Sequence, residues 1–474
     1  MNTPQRFVTL SKYPPYRSGH AKQALWNNRA LAALTGLEQH QVTYCGTPVD
    51  PADEAGPGVA VHHVRPVRQN PRNTDGELAR AISAELYRVA SAYDVDAILT
   101  YYIDPHAAIA NRIADALRPA GKRPVVIHSI EGTDLIDSIC EHVEDGLAGV
   151  LIGDVLRADV VCTVSNYVAS RFLATVEEVS GPSLPAALAD TIQIRYPGLP
   201  PAAFDAPSAA AQAAFRAGHG FRPDSVLVST FGRLEPEKGL ETIIGLAEMA
   251  LQQAPELEFA IGGAGSLAES LLRDTAHLPN LRVLAGIDYE AAQCLRAASA
   301  AGVFPTKVVQ GFVETFCISA LEYEALGVPI LATAVGGVPE ATPGEVALVP
   351  PDSPVALWWN RLTELLACRP AHSATAREFA RNFTSARSAA RILDIAALGS
   401  ARRAAPLKAF LPEPAVAGLF PRPPRPRPAA PARGRPHPSG PGRPRITAGT
   451  ALGTVSLPHP PPAAIGRAFP LTLG

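Results

Sequence analysis

The sequence predicts an α/β fold: two doubly wound parallel-sheet domains in series, then a tail of different character. Three observations carry this. Short β-leaning apolar runs alternate with helical spacings through residues 1–205, and the alternation restarts at Ser225 after a linker from Pro200 to Pro223. Several of the runs end in Gly- or Pro-bearing loops, as in open sheets that bind ligands at their carboxyl edge. From Ala401 the composition shifts: eighteen of the 47 prolines fall in residues 401–474.

Arg6 to Ser11 reads as a strand and Tyr13 to His20 as a Pro/Gly loop. Ala21 to Leu37 has helical spacing through Ala24, Leu25, Leu31 and Leu34, and Gln41 to Cys45 is a second strand. This β–loop–α–β unit opens a Rossmann-like domain. Val59 to Val64, Ala97 to Tyr101, Pro124 to His128, Val160 to Val164 and Thr191 to Tyr196 continue as strands. Leu78 to Tyr93, Ala107 to Leu117, Leu147 to Leu156 and a helix from Asn166 to Ala174, capped at Ser165-Asn166, lie between them. Residues 177–190 read as a loop. The second series has strands at Val226–Phe231, Leu257–Ile261, Leu281–Leu284, Ala301–Pro305, Val328–Ala332 and Val346–Val349. Phe383-Thr384-Ser385 caps a last helix to Leu398. The domains are therefore 1–205 and 222–400, with a tail at 401–474.

The tail holds ten Arg and Lys408 against Glu413, a net +10, which leaves −12 for residues 1–400 of the overall −2. Its proline content blocks helix and sheet hydrogen bonding, so a disordered, partly polyproline II segment is expected. The near-neutral whole gives no sign of a nucleic-acid partner. Only six of the 42 basic residues are Lys, so a lysine inside a motif carries weight. The six cysteines are scattered without a CxxC pair and read as buried thiols in a reducing compartment. The N-terminus lacks a signal pattern and no apolar run is long enough to span a bilayer, so a cytoplasmic protein without stable membrane insertion is expected.

The most informative stretch runs from Gly311 to Glu340, GFVETFCISALEYEALGVPILATAVGGVPE. Glu314 and Glu322 are separated by a helix-forming run that Gly327 and Pro329 end. A helix N-terminus suits a phosphate, and eight helical residues rise roughly 12 Å. Such a spacing could place one carboxylate near a sugar and the other near a ribose, with a diphosphate between. An ordinary amphipathic helix with solvated glutamates is the competing reading. The stretch FGRLEPEKG puts Arg233 and Lys238 on the loop after the first strand of the second domain. Two fixed cations there stabilise a departing diphosphate, unless Glu235 and Glu237 neutralise them as a surface pair. The cluster IGGAGS ends another strand.

Glu-x7-Glu followed by ALGVPILATAVGGVPE, together with GRLxxxKG, resembles the donor signature of retaining glycosyltransferases of family GT4. The resemblance covers about residues 5–400. It implies a GT-B fold, with two Rossmann-like domains facing across a cleft and a closing helix that returns to the first domain. It implies a metal-independent hexosyltransferase that takes a nucleotide sugar, by default a UDP-sugar, as co-substrate, with no further cofactor. The resemblance puts Glu314 at the transferred sugar, Glu322 at the ribose, and Arg233 and Lys238 at the phosphates. Gly232, Gly263, Phe316, Cys317 and Ile318 line the nucleotide pocket, and Gly19 faces phosphate or acceptor. Cys317 departs from the family's glycine. Glu131, in Glu131-Gly132-Thr133-Asp134, stands where the family often has a histidine near the reacting sugar, with His128 as substitute. His106 is a further candidate at the acceptor.

The opening YPPYRSGHAKQALW also resembles glycosyltransferases of aminoglycoside-antibiotic assembly, and an acidic cleft would suit a small, soluble aminocyclitol. A polysaccharide or lipid-linked acceptor is the alternative, though the helix from Ala21 to Leu37 carries only Lys22 and Arg29. Other readings are a phosphorylase using Lys307 for pyridoxal phosphate and a non-catalytic scaffold acting through the tail. Asp94-Val95-Asp96 mimics a metal-binding motif but reads as a turn, and adjacent His62 and His63 face opposite sides of a strand, so no metal is expected.

Overall fold

The computed structural model describes residues 4–12, 19–44, 56–64, 76–144, 146–344 and 347–402. The first sheet has seven strands: β1 (Phe7–Leu10), β2 (Gln39–Thr43), β3 (Val59–His63), β4 (Ala97–Tyr101), β5 (Val125–Ile130), β6 (Val160–Thr163) and β7 (Gln193–Ile194). Their order is β3-β2-β1-β4-β5-β6-β7, with parallel pairing throughout. The second sheet has six: β8 (Val226–Arg233), β9 (Leu257–Ala264), β10 (Leu281–Ala285), β11 (Ala301–Phe304), β12 (Ile330–Thr333) and β13 (Leu348–Val349). Its order is β10-β9-β8-β11-β12-β13, again all parallel.

Helices cover both faces, which is why β4 (AILTY) and β5 (VVIHSI) are buried at every residue. Strand order reverses between β1 and β4 and again between β8 and β11. These are the two topological switch points, where crevices open at the carboxyl ends of the strands.

Both sheets lie in one compact unit. The chain crosses from one domain to the other twice, and the crossings are bonded side by side: Leu199 N–H donates to Phe383 O and Ser385 N–H to Leu199 O, both at 2.7 Å. After the second crossing the helix Ser385–Arg402 packs back on the first domain. Its Arg391 Nε donates to Ile194 O at 3.1 Å.

Several boundaries differ from the sequence reading. The stretch read as a loop at 177–190 is mostly helical, with Asn166–Ser180 running on and Ser183–Leu188 following. Val176, Leu184 and Leu188 are buried there, so apolar contact overrides the Gly-Pro break. The linker contains a helix, Ala209–Gly218, capped by Ser208 and anchored by buried Phe215. Cys162 and Cys317 are buried as expected, but Cys140 and Cys294 are half-buried and Cys368 is exposed. Cys45 and residues 403–474, including the Pro/Arg-rich tail, lie outside the described residues. Among the described residues no helix is long and apolar enough to cross a membrane.

Candidate active site

The site is assembled on the loop from β11 to the helix Ile318–Ala325. That helix is shorter than the sequence suggested: it starts after Cys317, so Glu314 stands on the preceding loop and not on the helix itself. The backbone explains this. Gly337 N–H donates to Glu314 O at 2.9 Å, which ties residues 314–315 to the next turn before the helix can begin. The helix closes at Gly327 as expected, with Gly327 N–H on Glu324 O and Val328 N–H on Tyr323 O.

Glu314 forms an ion pair with Lys238. Burial alone would lower the Lys238 ammonium, but the Glu314 carboxylate outweighs it and holds the amine above its ordinary value. Burial, with Glu314 beside it, pushes the Cys317 thiol up to about 12. Cys317 is therefore a neutral wall residue and not a nucleophile. Arg233, largely exposed, pairs with Glu237 at 2.6 Å and stacks over Phe312. The surface-pair reading thus describes Arg233 but not Lys238. Lys307 pairs with Glu241 at the surface.

Gly232 and Gly263 face each other at the ends of β8 and β9. A Cβ on Gly263 would lie 1.8 Å from Gly232 O, and its φ is +140°, so no other residue fits.

Glu322 is buried. One oxygen accepts from fully buried Arg296 at 2.5 Å, and the other lies 3.9 Å from Lys22 Nζ. Arg296 is steadied by Gln293 Oε1 at 3.0 Å and by the Phe231 ring, 4.6 Å away. Lys22 belongs to the first domain, on the helix Gly19–Thr35. Sequence reasoning missed Arg296 as the partner of Glu322. Its signal was available as one arginine in the otherwise uncharged run QCLRAASAAGVF.

The two domains meet at this point. A Cβ on Gly19, at the start of the helix Gly19–Thr35, would lie 3.6 Å from Ile318 Cδ1. Two helix N-termini thus converge from opposite domains, an arrangement suited to an anion. Thr315 Oγ1 donates to Glu131 O at 3.2 Å, and Ser165 Oγ donates to Thr315 O at 2.8 Å. Gly132, with φ +105°, has Thr315 packed where a Cβ would be.

The Glu131 side chain is bound within the first domain. Its carboxylate pairs with fully buried Arg195 at 2.7 Å and accepts from Ser129 Oγ at 2.7 Å. It is 7% exposed. Burial pushes its carboxyl up, against the pull of Arg195. The EGTD turn is built instead around Asp134, which accepts from Glu131 N–H at 2.9 Å and Gly132 N–H at 2.7 Å. His128, the substitute, is also core: Nδ1 contacts Thr100 Oγ1 at 2.9 Å and Nε2 contacts Asn111 Oδ1 at 3.3 Å. His106 is buried too. Its Nδ1–H donates to Tyr101 O at 2.7 Å, so Nε2 accepts from the Tyr44 hydroxyl at 2.8 Å.

At the first switch point, the His20 and Tyr102 rings pack at a tilt of 49° with centroids 4.8 Å apart, and Lys12 lies 5.9 Å from the Tyr102 ring. Tyr102 carries φ +96°, a strained value for a bulky residue. Sequence reasoning had not singled out Lys12 or Tyr102. Ser18 lies outside the described residues. Asp96 binds the amides of Gln5 and Arg6 at 3.0 and 2.9 Å and Asp94 pairs with Lys122, at the opposite end of the sheet from the crevice. Among the described residues no group of three or more His, Cys, Asp or Glu is arranged for a metal ion.

Solved structures share this architecture. Anabaena Alr3699/HepE in complex with UDP and glucose matches with a TM-score of 0.60 at 16% identity, covering 82% of this chain and 98% of that one. Sucrose-phosphate synthase of Thermosynechococcus elongatus matches with 0.58 at 21% identity, covering 82% and 97%. The fold is GT-B. Within this GT-B chain, residues 211–383 match the family model for glycosyl transferases group 1. D-inositol 3-phosphate glycosyltransferase of Saccharomonospora viridis is 30% identical over 39% of this chain and 45% of its own length. The counterpart from Paenarthrobacter aurescens is 26% identical over 66% of this chain and 76% of its own. The chain thus spans less than half the length of the first of these relatives.

Proposed function

We propose that this protein is a retaining, metal-independent glycosyltransferase that moves a hexosyl or amino-hexosyl group from a UDP-sugar to a hydroxyl of a small soluble cyclitol. The observation that carries the reading is one group of residues: Glu314 paired with Lys238, Glu322 held by Arg296, and two helix N-termini converging between them. In this reading the diphosphate lies against the helix N-termini at Gly19 and Ile318, with Lys238 as its cation, joined by Arg233 when that side chain leaves Glu237. Glu314 takes the sugar hydroxyls. Glu322 offers the ribose the oxygen that Arg296 leaves. The bond from the anomeric carbon to the diphosphate oxygen breaks, the leaving phosphate takes the acceptor proton, and the new bond forms on the same face. The two cations stabilise the charge that grows on the leaving group.

The sequence resemblance favours an aminocyclitol, and relatives named as inositol-phosphate glycosyltransferases favour a phosphorylated one. Both are cyclitols, and both serve as acceptors in the test. The experiment measures UDP and UDP-sugar binding, hydrolysis and transfer by the wild type, Lys238→Ala and Glu322→Gln. The glutamine keeps the side-chain volume beside Arg296. Binding by the wild type that both variants lose supports the donor site. A wild type that binds no UDP-, GDP-, ADP- or TDP-sugar refutes the reading.

A further inference from the structure

Glu340 lies on the turn Val338–Ala341 of the second domain, yet its carboxylate is satisfied by the first. It accepts from Asn166 N–H at 2.8 Å, Asn166 Nδ2 at 2.8 Å, Tyr167 N–H at 2.9 Å and the Tyr196 hydroxyl at 2.9 Å. Asn166 and Tyr167 open the helix Asn166–Ser180, so two of its orphan amides and its positive end are met by a carboxylate from across the cleft. Asn166 is exposed and Glu340 half-buried, so water reaches the Asn166 side of this contact. The contact is a rim contact that can open, unlike the buried pairs of Glu131 and Glu322.

Its connections reach both the hinge and the site. Tyr196 packs edge-on against Phe383, beside the paired chain crossings, and tilted against Phe316, which leads into the helix Ile318–Ala325. The turn that carries Glu340 begins beside Gly337, whose N–H fixes the backbone of Glu314. The same helix cap, Ser165, bonds Thr315. Separating Glu340 from Asn166 therefore separates Glu314 from the first domain's face at Gly132.

We infer that Glu340 is a positioning residue: it latches the second domain to the N-terminus of the helix Asn166–Ser180 and so sets the gap across which Glu314 meets the acceptor side. The kinetic part of this inference rests on the glycosyl-transfer reading; the geometric part does not. The latch acts on the arrangement of the domains and touches neither nucleotide nor acceptor. Its loss lowers turnover and spares donor affinity.

The test uses the full-length chain as wild type, Glu340→Ala, Glu340→Asp and Tyr196→Phe. Hydrogen exchange at Asn166 and Tyr167 and small-angle scattering report the domain arrangement without substrate. Glu340→Ala is expected to exchange these amides about tenfold faster and to expand the particle. Its UDP Kd stays within about threefold while kcat falls roughly 10- to 100-fold. Tyr196→Phe removes one donor and shows a smaller change in the same direction, and Glu340→Asp restores part of the loss. Unchanged exchange and scattering in Glu340→Ala overturn the inference. Should Glu340→Ala fail to fold, Tyr196→Phe decides: wild-type exchange in that variant overturns it as well. A wild type that binds no nucleotide, with exchange altered in the variants, overturns the transferase reading and leaves the latch standing.

Discussion

Arg296→Met tests how Glu322 is held. The pair it breaks is closed to water, with side-chain exposures of 0% and 5% and an N–O distance of 2.5 Å. Methionine fills most of the arginine's volume and keeps contact with Phe231. Its sulfur cannot neutralise the carboxylate, and Lys22, at 3.9 Å and 41% exposed, replaces little of the lost charge. Removing one partner of a buried pair costs about 3–5 kcal/mol. In a domain of this size each kcal/mol shifts Tm by about 2–4 °C. Arg296→Met is thus expected to lower the melting temperature of the second domain by about 10 °C and to weaken UDP binding in parallel. The double variant Arg296→Met/Glu322→Gln removes the orphaned charge and recovers more than half of the lost stability. Calorimetry with and without UDP reads both effects. A single variant melting within about 1 °C of wild type would refute the claim that Arg296 fixes Glu322.

The same logic applies to the first domain. Arg195→Met is expected to cost about 3–5 kcal/mol in urea unfolding, because it strands Glu131, while Glu131→Gln/Arg195→Met costs less than the single change. Glu131→Gln keeps kcat within about threefold; a loss beyond 100-fold at unchanged stability would return Glu131 to the reacting sugar. Burial holds His128 down to about 3. The unfolded chain therefore takes up the proton first, so stability is fully present above pH 6.5 and falls as pH drops from 6.5 toward 3. Between pH 7 and 5 His128 alone removes about 2 kcal/mol, and His128→Asn, measured by unfolding at both pH values, flattens that slope.

What was legible in the sequence was local. Strand and helix alternation gave both sheets, and the Schellman end at Gly327 followed from a Gly and a Pro. The grouping of Glu314, Glu322 and Lys238 was legible because these residues lie in two short motifs along the chain. The partners were not. Arg296 stands 26 residues from Glu322, and Arg195 stands 64 from Glu131, each on an element whose own pattern reads as ordinary core. Helix boundaries failed where tertiary contact intervened: the Gly337 amide shortened the helix after Glu314, and buried Val176 and Leu188 ordered a stretch that composition marked as loop. The pairing of Glu131 was not legible because a motif position fixes the backbone and not the rotamer; Arg195 fixes that.

This pairing also changes what charge composition can say about the acceptor. The acidic excess of −12 in residues 1–400 suggested a cleft ready for a cation. Yet Glu314, Glu322, Glu131 and Glu237 are each already matched, with Lys238, Arg296, Arg195 and Arg233. A matched pair offers an incoming ammonium little net field, and its rim-exposed part is screened by salt. On the proposed function, an acceptor would then be recognised through its hydroxyls and ring faces, as the tilted His20–Tyr102 pair at the first switch point allows. An aminocyclitol held by unpaired carboxylates would show KM rising steeply between 50 mM and 500 mM salt, by about tenfold or more. The matched pairs predict a KM that changes less than about threefold over that range, and equal use of a deaminated cyclitol. A steep salt dependence would mean that carboxylates other than these four line the acceptor pocket.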